Sequence, residues 1–297
     1  LKQFVERGQQ VTSSLCEKYA FAVLQQVREV NPRLYFIDDV SIMQIVGISD
    51  ANLNAVLGFV THCFGNMVRL QTSSAISESG SNIHIGKCID GLLGQKGHKL
   101  TLDSPVGLRS ENIAHLNWPQ MIVESMKRTM RQEIMECVAY ITSSDENETS
   151  ILYMLDKWST QSVSIACEVA FSSQIYPSES EMIRQHLTSS LISMKGRLNI
   201  LTRLLTSSST TAKSKVQLEA LMCLTESHIA CLNIFLKQEH PSTHLFEKCL
   251  RPLYSIQNTD GTCDNVVVRM LDHVSAYGYE FSGNFCAFIA TTELTNK

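Results

Sequence analysis

Apolar residues recur at intervals of three and four along most of this chain, which is the pattern of helices that bury one side. Only 14 Gly and 6 Pro occur among 297 residues, so few positions force the backbone out of a helix. The first stretch predicts one long amphipathic helix over residues 2–30. Its apolar positions are Phe4, Val11, Leu15, Tyr19, Ala22 and Val23. Asn31-Pro32 ends this helix, because the residue before a proline is disfavoured in helical geometry.

Further helices are predicted from the same spacing. They cover residues 40–46, 53–70, 118–141, 151–171, 179–205 and 214–237, with a break near Trp158. The helix over 118–141 has the clearest apolar stripe, which is formed by Ile122, Met126, Met130, Ile134 and Cys137. Because the connections between long helices are short and polar, we expect antiparallel bundles. The acidic run at 143–148 is interpreted as a solvated loop.

Two regions have the composition of strands. Residues 72–109 are rich in Ser and Gly and alternate at 82–85 and 98–102, which predicts a small β element. Near the end, a short helix up to Leu250 is followed by strand-like segments at 266–268, 277–279 and 288–290. The predicted fold is therefore mainly α, with elongated antiparallel helical bundles, a small β element near the middle and a β-hairpin at the C-terminal end.

The overall composition argues against several classes of function. The 25 Lys and Arg against 29 Asp and Glu give a formal net charge of −4, without the basic excess that nucleic-acid binding needs. No apolar run reaches the about 18–20 residues that span a bilayer, and the first residues lack the order of a signal peptide. We therefore expect no nucleic acid, no membrane and a cytosolic location. The 10 Cys are scattered without a C-x-x-C pair, which indicates reduced and buried thiols.

No catalytic or metal-binding motif stands out. The chain has no G-x-x-x-x-G-K-[ST] phosphate loop, and the glycine-rich stretch 91–101 has the wrong intervals, so it predicts a turn. His240 and His244 are four residues apart, but Pro241 between them favours a helix start over a helix interior. A lone histidine such as His228 is interpreted as a structural residue. We therefore expect no catalytic residue and no metal site in this chain.

Residues 31–39 read Asn-Pro-Arg-Leu-Tyr-Phe-Ile-Asp-Asp. This phrase resembles F-P-R-F-Y-F-L-S followed by an acidic helix start, which belongs to the linker of the dynein heavy-chain family. Residues 62–64 resemble its later cysteine-phenylalanine step, and residues 126–131 are similar to a helix with Met, a basic residue, Thr and another apolar residue. The matching positions include Pro32, Arg33, Tyr35, Phe36 and Phe64.

The resemblance continues in the same order through the helices of the second half. Trp158 and Gln161 resemble a tryptophan followed by P-x-Q-V-V. Residues 218–221 and His228 fall where the family has K-L-E-A-L and V-H-A-R-D. Because these phrases keep their order and spacing, the resemblance extends over nearly the whole chain.

The longest matching phrases lie near the end. Phe246 and Tyr254 fall on F-E-W-x-x-Q-L-R-Y-Y. Residues 277–284, Tyr-Gly-Tyr-Glu-Phe-Ser-Gly-Asn, are similar to Y-G-Y-E-Y-L-G-N. The matching positions are Tyr277, Gly278, Tyr279, Glu280, Gly283 and Asn284. Residues 289–297 resemble L-V-I-T-P-L-T-D-R, which completes the match.

The chain also departs from the family pattern. The family's Arg-Asp pair after the histidine, its Leu-Arg before the tyrosines, and its late proline and basic residue are replaced. The residues that stand there are Ala230, Cys231, Pro252, Leu253, Glu293 and Phe288. These changes indicate a divergent linker, from an active or a non-motile dynein-like chain.

The resemblance implies a mechanical lever. In that family the linker lies across a ring of AAA+ modules, and nucleotide turnover in the first module switches it between bent and straight forms. Residues 1–287 would then be the linker, with a hinge in the β-containing break at about 72–110, and residues 288–297 would begin the first AAA+ module. ATP and Mg would bind in that adjoining module, with Thr292, Leu294 and Thr295 nearest to the base.

The same resemblance implies the partners and the location. The partners would be the AAA+ ring of the same heavy chain and, through other regions, dynein intermediate and light chains and microtubules. The location would be the cytoplasm and cytoskeleton, or a ciliary or flagellar axoneme. Two alternatives stay open. A non-motile helical scaffold fits the altered motifs equally well, and a thiol hydrolase that uses one of the cysteines is a more distant alternative.

Overall fold

The computed structural model describes residues 2–46, 62–64, 67–79, 82–108, 118–175, 183–207, 211–237, 253–259, 263–270 and 273–283. They belong to two compact units, Leu1–Leu92 with Leu102–Ser125, and Leu93–Thr101 with Met126–Lys297. Helices make up most of the described chain, and two three-stranded sheets accompany them. The prediction of a mainly α fold is confirmed.

The first unit begins with two helices joined by a tight turn. Helix α1 covers Lys2–Val30, the 3-10 turn covers Pro32–Phe36, and helix α2 covers Asp39–Val46. Both helices agree with the predicted ones. Pro32 takes the first position of the 3-10 turn, where a backbone N–H would have no acceptor within the turn, so no hydrogen bond is lost.

The buried side of α1 differs from the predicted apolar stripe. Leu15 and Tyr19 are 61% and 75% exposed, whereas Leu24 is only 6% exposed. The helix packs against the 3-10 turn that follows it. Burial in the described part of α1 is therefore set by this local contact, which the apolar spacing alone does not identify.

The sheet of the middle region has the order β1-β2-β3. Its strands are β1 (Met67–Ser79), β2 (Asn82–Gly94) and β3 (Lys99–Leu108), which confirms the small β element. The predicted helix over 53–70 is wrong at its end, because Met67 already belongs to β1, and residues 53–61 lie outside the described residues. Met67 and Leu70 are both buried. Their spacing of three suits a helix, but pairing with β2 outweighs this local preference.

The helices of the second half follow the predicted order. They are α3 (Trp118–Ser143), α4 (Glu148–Lys157), α5 (Thr160–Ile175), α6 (Ile183–Thr206) and α7 (Ala212–Leu236). The break near Trp158 is confirmed, and every residue of the predicted α3 stripe from Ile122 to Cys137 is 0% exposed. Helices α5, α6 and α7 share a core that is formed by Phe171, Ile175, Leu187, Met194, Cys231, Leu232 and Phe235.

An antiparallel sheet lies near the end of the described chain, with the order β4-β5-β6. Its strands are β4 (Leu253–Thr259), β5 (Cys263–Met270) and β6 (His273–Ala276). Val266 pairs with Ile256, and Val267 pairs with Ala276. The expected strand at 277–279 is wrong, since these residues have no regular secondary structure. The predicted strand at 288–290 and the predicted short helix up to Leu250 lie outside the described residues.

Among the described helices, α7 combines great length with an apolar composition. Its stretch Ser214–Leu236 is long and apolar enough to cross a membrane, with a mean hydropathy of 1.2, so the expectation that no such stretch exists is wrong by this measure. Leu218, Leu221, Leu232 and Phe235 in it are at most 1% exposed. Because α7 packs against α5 and α6, burial in the unit accounts for this composition.

Gly196 in helix α6 provides a test of helix stability. A Cβ there would meet no atom within 4 Å. We expect Gly196→Ala to raise the free energy of unfolding by about 0.5–1 kcal/mol, because alanine loses less backbone freedom on folding. Gly97 has φ +81°, so Gly97→Ala is expected to lower the free energy of unfolding by about 1 kcal/mol. Urea denaturation measures both, and changes of the same sign would contradict this explanation.

Candidate functional site

The segment Tyr277–Gly283, here called the anchor segment, is held by several elements of the second unit. It follows β6 directly and contains five of the six positions of the longest sequence phrase. The Tyr277 N–H donates to the Val266 carbonyl at 2.9 Å, and the Phe281 N–H lies 3.3 Å from the sulfur of Met126 in α3. An irregular segment is thus fixed by contacts with a strand and a helix.

Gln161, the second residue of α5, makes the densest set of contacts with the anchor segment. Its Nε2 donates to the Tyr277 hydroxyl at 3.0 Å and to the Glu280 carbonyl at 2.8 Å. Its Oε1 accepts from the Ser282 N–H at 2.9 Å and from the Ser282 hydroxyl at 3.1 Å. Both amide protons and both lone pairs of the side chain are therefore used. Gln161 is itself buried, whereas Glu280 and Ser282 are exposed, so these bonds are partly shielded from water.

Tyr277 contributes a neutral hydroxyl to this arrangement. Burial raises the pKa of the Tyr277 phenol above its ordinary value, although the hydrogen bond from Gln161 acts in the opposite direction. The ring of Tyr277 lies edge-on to that of Tyr279, with centroids 5.1 Å apart. The two tyrosines thus form one aromatic pair within the anchor segment.

Tyr279 has an unusual backbone conformation. Its φ is +50°, in the left-handed region, which costs a residue with a side chain about 1–2 kcal/mol. The side chain is buried, and its hydroxyl accepts from the Val266 N–H at 2.7 Å. The left-handed turn is what allows one strand residue, Val266, to bind both Tyr277 and Tyr279. Strain at such a position is stabilised by the contacts around it.

The end of the anchor segment meets the turn between β2 and β3. The Gln95 N–H donates to the Gly283 carbonyl at 2.7 Å. A Cβ on Gly94 would overlap the backbone of Gly283, so glycine is required for this close approach. The turn itself is closed by the Gly94 N–H, which donates to the His98 carbonyl at 2.7 Å. The stretch 91–101 therefore contains a turn, as predicted, and its 93–101 part packs within the second unit.

The break between α4 and α5 positions Gln161. Trp158 at the break is 5% exposed, and its Nε1 donates to Glu136 at 3.3 Å. The Ser159 N–H donates to Glu133 at 3.1 Å. Hydrogen bonding from Gln132, followed by weaker effects of Trp158 and Lys157, holds the pKa of Glu136 below its ordinary value against the effect of burial. Two carboxylates of α3 thus fix the first turn of α5.

His228 is buried and contacts residues of α5. Its ring stacks on Phe171 with centroids 3.8 Å apart and an interplanar angle of 7°. Its Nε2 lies 3.4 Å from a carboxylate oxygen of Glu168. These contacts join α7 to α5, so the histidine holds the helix that carries Gln161.

The matching positions of the first half lie together near the 3-10 turn, within the first unit. Arg33 donates to the Cys63 carbonyl at 3.1 Å, and its guanidinium carbon lies 4.7 Å from the centre of the Phe64 ring. Phe64 is buried, whereas Tyr35 and Phe36 are 60% and 73% exposed. The first-half motif therefore has a buried side and an exposed side.

The remaining predicted positions are only partly described. Tyr254 lies in β4 and pairs with Val268. Phe246, Asn284, Thr292, Leu294 and Thr295 lie outside the described residues, as do His240 and His244. The predicted contact with nucleotide therefore stays a prediction.

One interaction that sequence reasoning missed is an ion pair between the acidic loop and α6. Glu146 lies 2.9 Å from Nε of Arg197, whose side chain is 6% exposed. Arg197 also donates to the sulfur of Cys167 at 3.0 Å. The interpretation of the acidic run as a solvated loop holds for Glu146, which is exposed, but its pairing with a buried arginine was not predicted. A buried arginine some fifty residues away gives no local signal for this pair.

The described residues contain no group of three or more side chains that could hold a metal ion. Burial raises the pKa of the Cys63 thiol to about 11, and it also raises the pKa of Cys137 and Cys167, so these three thiols stay protonated. The site is thus a set of hydrogen bonds that joins α5 and its neighbours to the anchor segment.

Comparisons with known proteins agree with the resemblance. Residues 6–137 match the family model described as dynein heavy chain, N-terminal region 2. The chain is 25% identical over 285 residues to cytoplasmic dynein 2 heavy chain 1 of Caenorhabditis elegans, covering 95% of this chain and 6% of that protein. It is 23% identical over 292 residues to the protein of the same name from Tripneustes gratilla, and this match again covers 95% of this chain and 6% of that protein. The chain thus spans a small part of the length of the curated relatives it matches.

Proposed function

We propose that this chain, a dynein heavy chain segment by its similarity over nearly its whole length, is the linker that serves as the mechanical lever of its parent protein. In this role it transmits nucleotide-driven changes of an adjoining AAA+ module. The single observation that carries the proposal is the complete hydrogen bonding of Gln161 to the anchor segment. A lever must be joined firmly to the chain that drives it, and this contact supplies such a joint.

The strength of the joint follows from its chemistry. Hydrogen bonds that hold a buried segment contribute about 0.5–1.5 kcal/mol each, and leaving their partners unsatisfied costs more. The backbone of the anchor segment is also held by β5, by α3 and by the turn before β3. Pulling on the chain beyond Gly283 would therefore load α5 and its neighbours before it separated the segment from them.

The proposal includes partners and cofactors of the parent protein. ATP and Mg would bind in the adjoining AAA+ module, with Thr292, Leu294 and Thr295 nearest to the base. Intermediate and light chains and microtubules would bind through other regions of the parent chain. The relatives are named as cytoplasmic dynein 2 heavy chains, which supports a cytoplasmic and cytoskeletal location. A ciliary or flagellar axoneme is the alternative location.

Nucleotide binding tests the lever function directly. A fluorescent ATP analogue is titrated into this chain alone and into a chain extended through the following module. We expect binding and hydrolysis only by the extended chain, and weaker binding when residues 288–297 are deleted from it. Binding by neither chain would contradict the lever and favour a helical scaffold. Unchanged affinity after the deletion would contradict the proposed nucleotide contact.

Hydrogen exchange tests the proposed hinge at residues 72–110. A hinge bends at low energetic cost, so its backbone amides should exchange faster than those of α3 and α5 in the same sample. We expect faster exchange in that segment when the extended chain cycles through ATP than when it is held with a non-hydrolysable analogue. If residues 72–110 were the most protected part of the chain in both conditions, the hinge would have to lie elsewhere.

A further inference from the structure

The 3-10 turn in the first unit presents large apolar side chains to solvent. Tyr35 and Phe36 within the turn are 60% and 73% exposed, and Val30 before it and Val40 after it are 75% and 67% exposed. We call these four residues the aromatic turn patch. Single exposed apolar residues are ordinary, but a group of them on one short stretch of chain marks an interaction site.

The outward direction of the patch is fixed by contacts on the other side of the turn. Leu34 and Ile37 are 0% and 4% exposed, so the residues that flank the two aromatic ones point inward. Arg28 of α1 donates to the Ile37 carbonyl at 2.7 Å and to the Leu34 carbonyl at 3.4 Å. Because Arg28 binds the backbone carbonyls of Leu34 and Ile37, this stretch is already held in place, and little conformational entropy is lost when a partner binds.

Arg28 also connects the two helices beside the patch. Its Nη1 lies 2.5 Å from Asp39, the first residue of α2, and its guanidinium carbon lies 5.7 Å from the centre of the Tyr35 ring. One arginine thus holds the end of α1, the turn and the start of α2 in one arrangement. An aromatic side chain held in this way is typical of the residues that dominate binding energy at protein interfaces.

The charges around the patch indicate what it binds. Glu29 and Asp38 are exposed carboxylates next to Val30 and close in sequence to Phe36. Two hydrogen bonds from Ser41 hold the pKa of Asp38 below its ordinary value, so this carboxylate is charged at neutral pH. Of the two cations on this stretch, Arg28 is paired with Asp39, and Arg33 lies over Phe64. The five charged side chains of residues 28–39 together give this stretch a net charge of −1, and Glu29 and Asp38 are its exposed carboxylates outside the pair with Arg28.

We propose that the aromatic turn patch is a docking site for a protein surface that has an apolar groove rimmed by lysines and arginines. A second copy of this patch would bring acid against acid, and an anionic membrane would repel Glu29 and Asp38. A basic protein surface satisfies both the apolar side chains and the charges. The docking site does not depend on the lever function, since its residues take no part in the anchor segment.

Photochemical cross-linking in the full-length heavy chain tests the docking site. The chain carries Phe36→p-benzoyl-phenylalanine, and the control carries the same probe at Ile192, which is 67% exposed on α6. Mass spectrometry identifies the residues captured by each probe. We expect the probe at position 36 to capture one protein segment that contains several lysines or arginines, with a yield well above that of the control.

Charge variants decide whether the capture is specific. Glu29→Gln with Asp38→Asn is expected to lower the cross-linking yield at position 36 by about fivefold and to leave the control yield unchanged. Asparagine keeps an acceptor for Ser41, so the start of α2 is preserved. Capture of a second copy, of lipid or of an acidic segment would overturn the proposal. So would a yield equal to that of the control or a yield that is insensitive to the charge variants.

Discussion

Replacing Gln161 with leucine is expected to release the anchor segment and to lower the free energy of unfolding by about 2–4 kcal/mol. Leucine has nearly the same volume, so the packing of α5 changes little. The Ser282 N–H, the Tyr277 hydroxyl and the Glu280 carbonyl would each lose their hydrogen bond to Gln161. Urea denaturation measures the stability, and hydrogen exchange of Tyr277–Gly283 measures the release.

Gln217 in α7 provides a matched control for this change. It is also buried, and its Nε2 donates one hydrogen bond, to the Leu155 carbonyl at 3.2 Å. Gln217→Leu is therefore expected to cost about 1 kcal/mol and to leave exchange in the anchor segment unchanged. If both variants lost the same stability and showed the same exchange, Gln161 would have no special role in holding the segment.

The same variant also separates stability from mechanics in the parent protein. Under the lever function proposed above, Gln161→Leu in the full heavy chain is expected to leave ATP hydrolysis without microtubules close to that of the unaltered chain. Under the same proposal, microtubule gliding should slow several-fold, because force would pass through a loosened joint. Equal loss of both activities would indicate a folding defect, and the loss of neither would contradict the lever.

The helices could be predicted from the sequence because their signals are local. α1 ends at Val30, just before Asn31-Pro32, and the α3 stripe has regular spacing, so the residues that decide these elements lie within one or two turns. The first residues of strand β1 were predicted as helix, because their strand conformation depends on pairing with β2. The buried side of α1 was also missed, since it is set by contact with the 3-10 turn and not by the average spacing of apolar residues.

The site was only partly predictable for the same reason. Family resemblance identified Gln161 and Tyr277 as matching positions, yet they lie 116 residues apart and nothing local indicates that they touch. Tyr279 was expected in a strand, because tyrosine favours strands. Its left-handed conformation accompanies a hydrogen bond from the Val266 N–H, 13 residues away, which no local pattern indicates. The sequence therefore identifies candidate residues, and the fold determines which of them meet.

Replacing Glu146 with alanine is expected to lower the free energy of unfolding by about 2–4 kcal/mol, because it leaves the charge of Arg197 buried without its carboxylate. The guanidinium cannot lose its proton at ordinary pH, so the cost cannot be avoided by neutralisation. The cost falls below that of a fully buried pair because Glu146 is 33% exposed. Thermal or urea denaturation of the chain measures this change.

The first residue of α4 and the same helix α6 provide the control. Glu148 pairs with Arg203 at 3.2 Å, but these side chains are 49% and 68% exposed. Glu148→Ala should therefore cost only about 0.5 kcal/mol, since water screens an exposed pair and solvates the arginine that remains. Raised salt should reduce the smaller effect further and leave the larger one nearly unchanged. Equal costs for the two variants would mean that water reaches the guanidinium of Arg197 once Glu146 is removed.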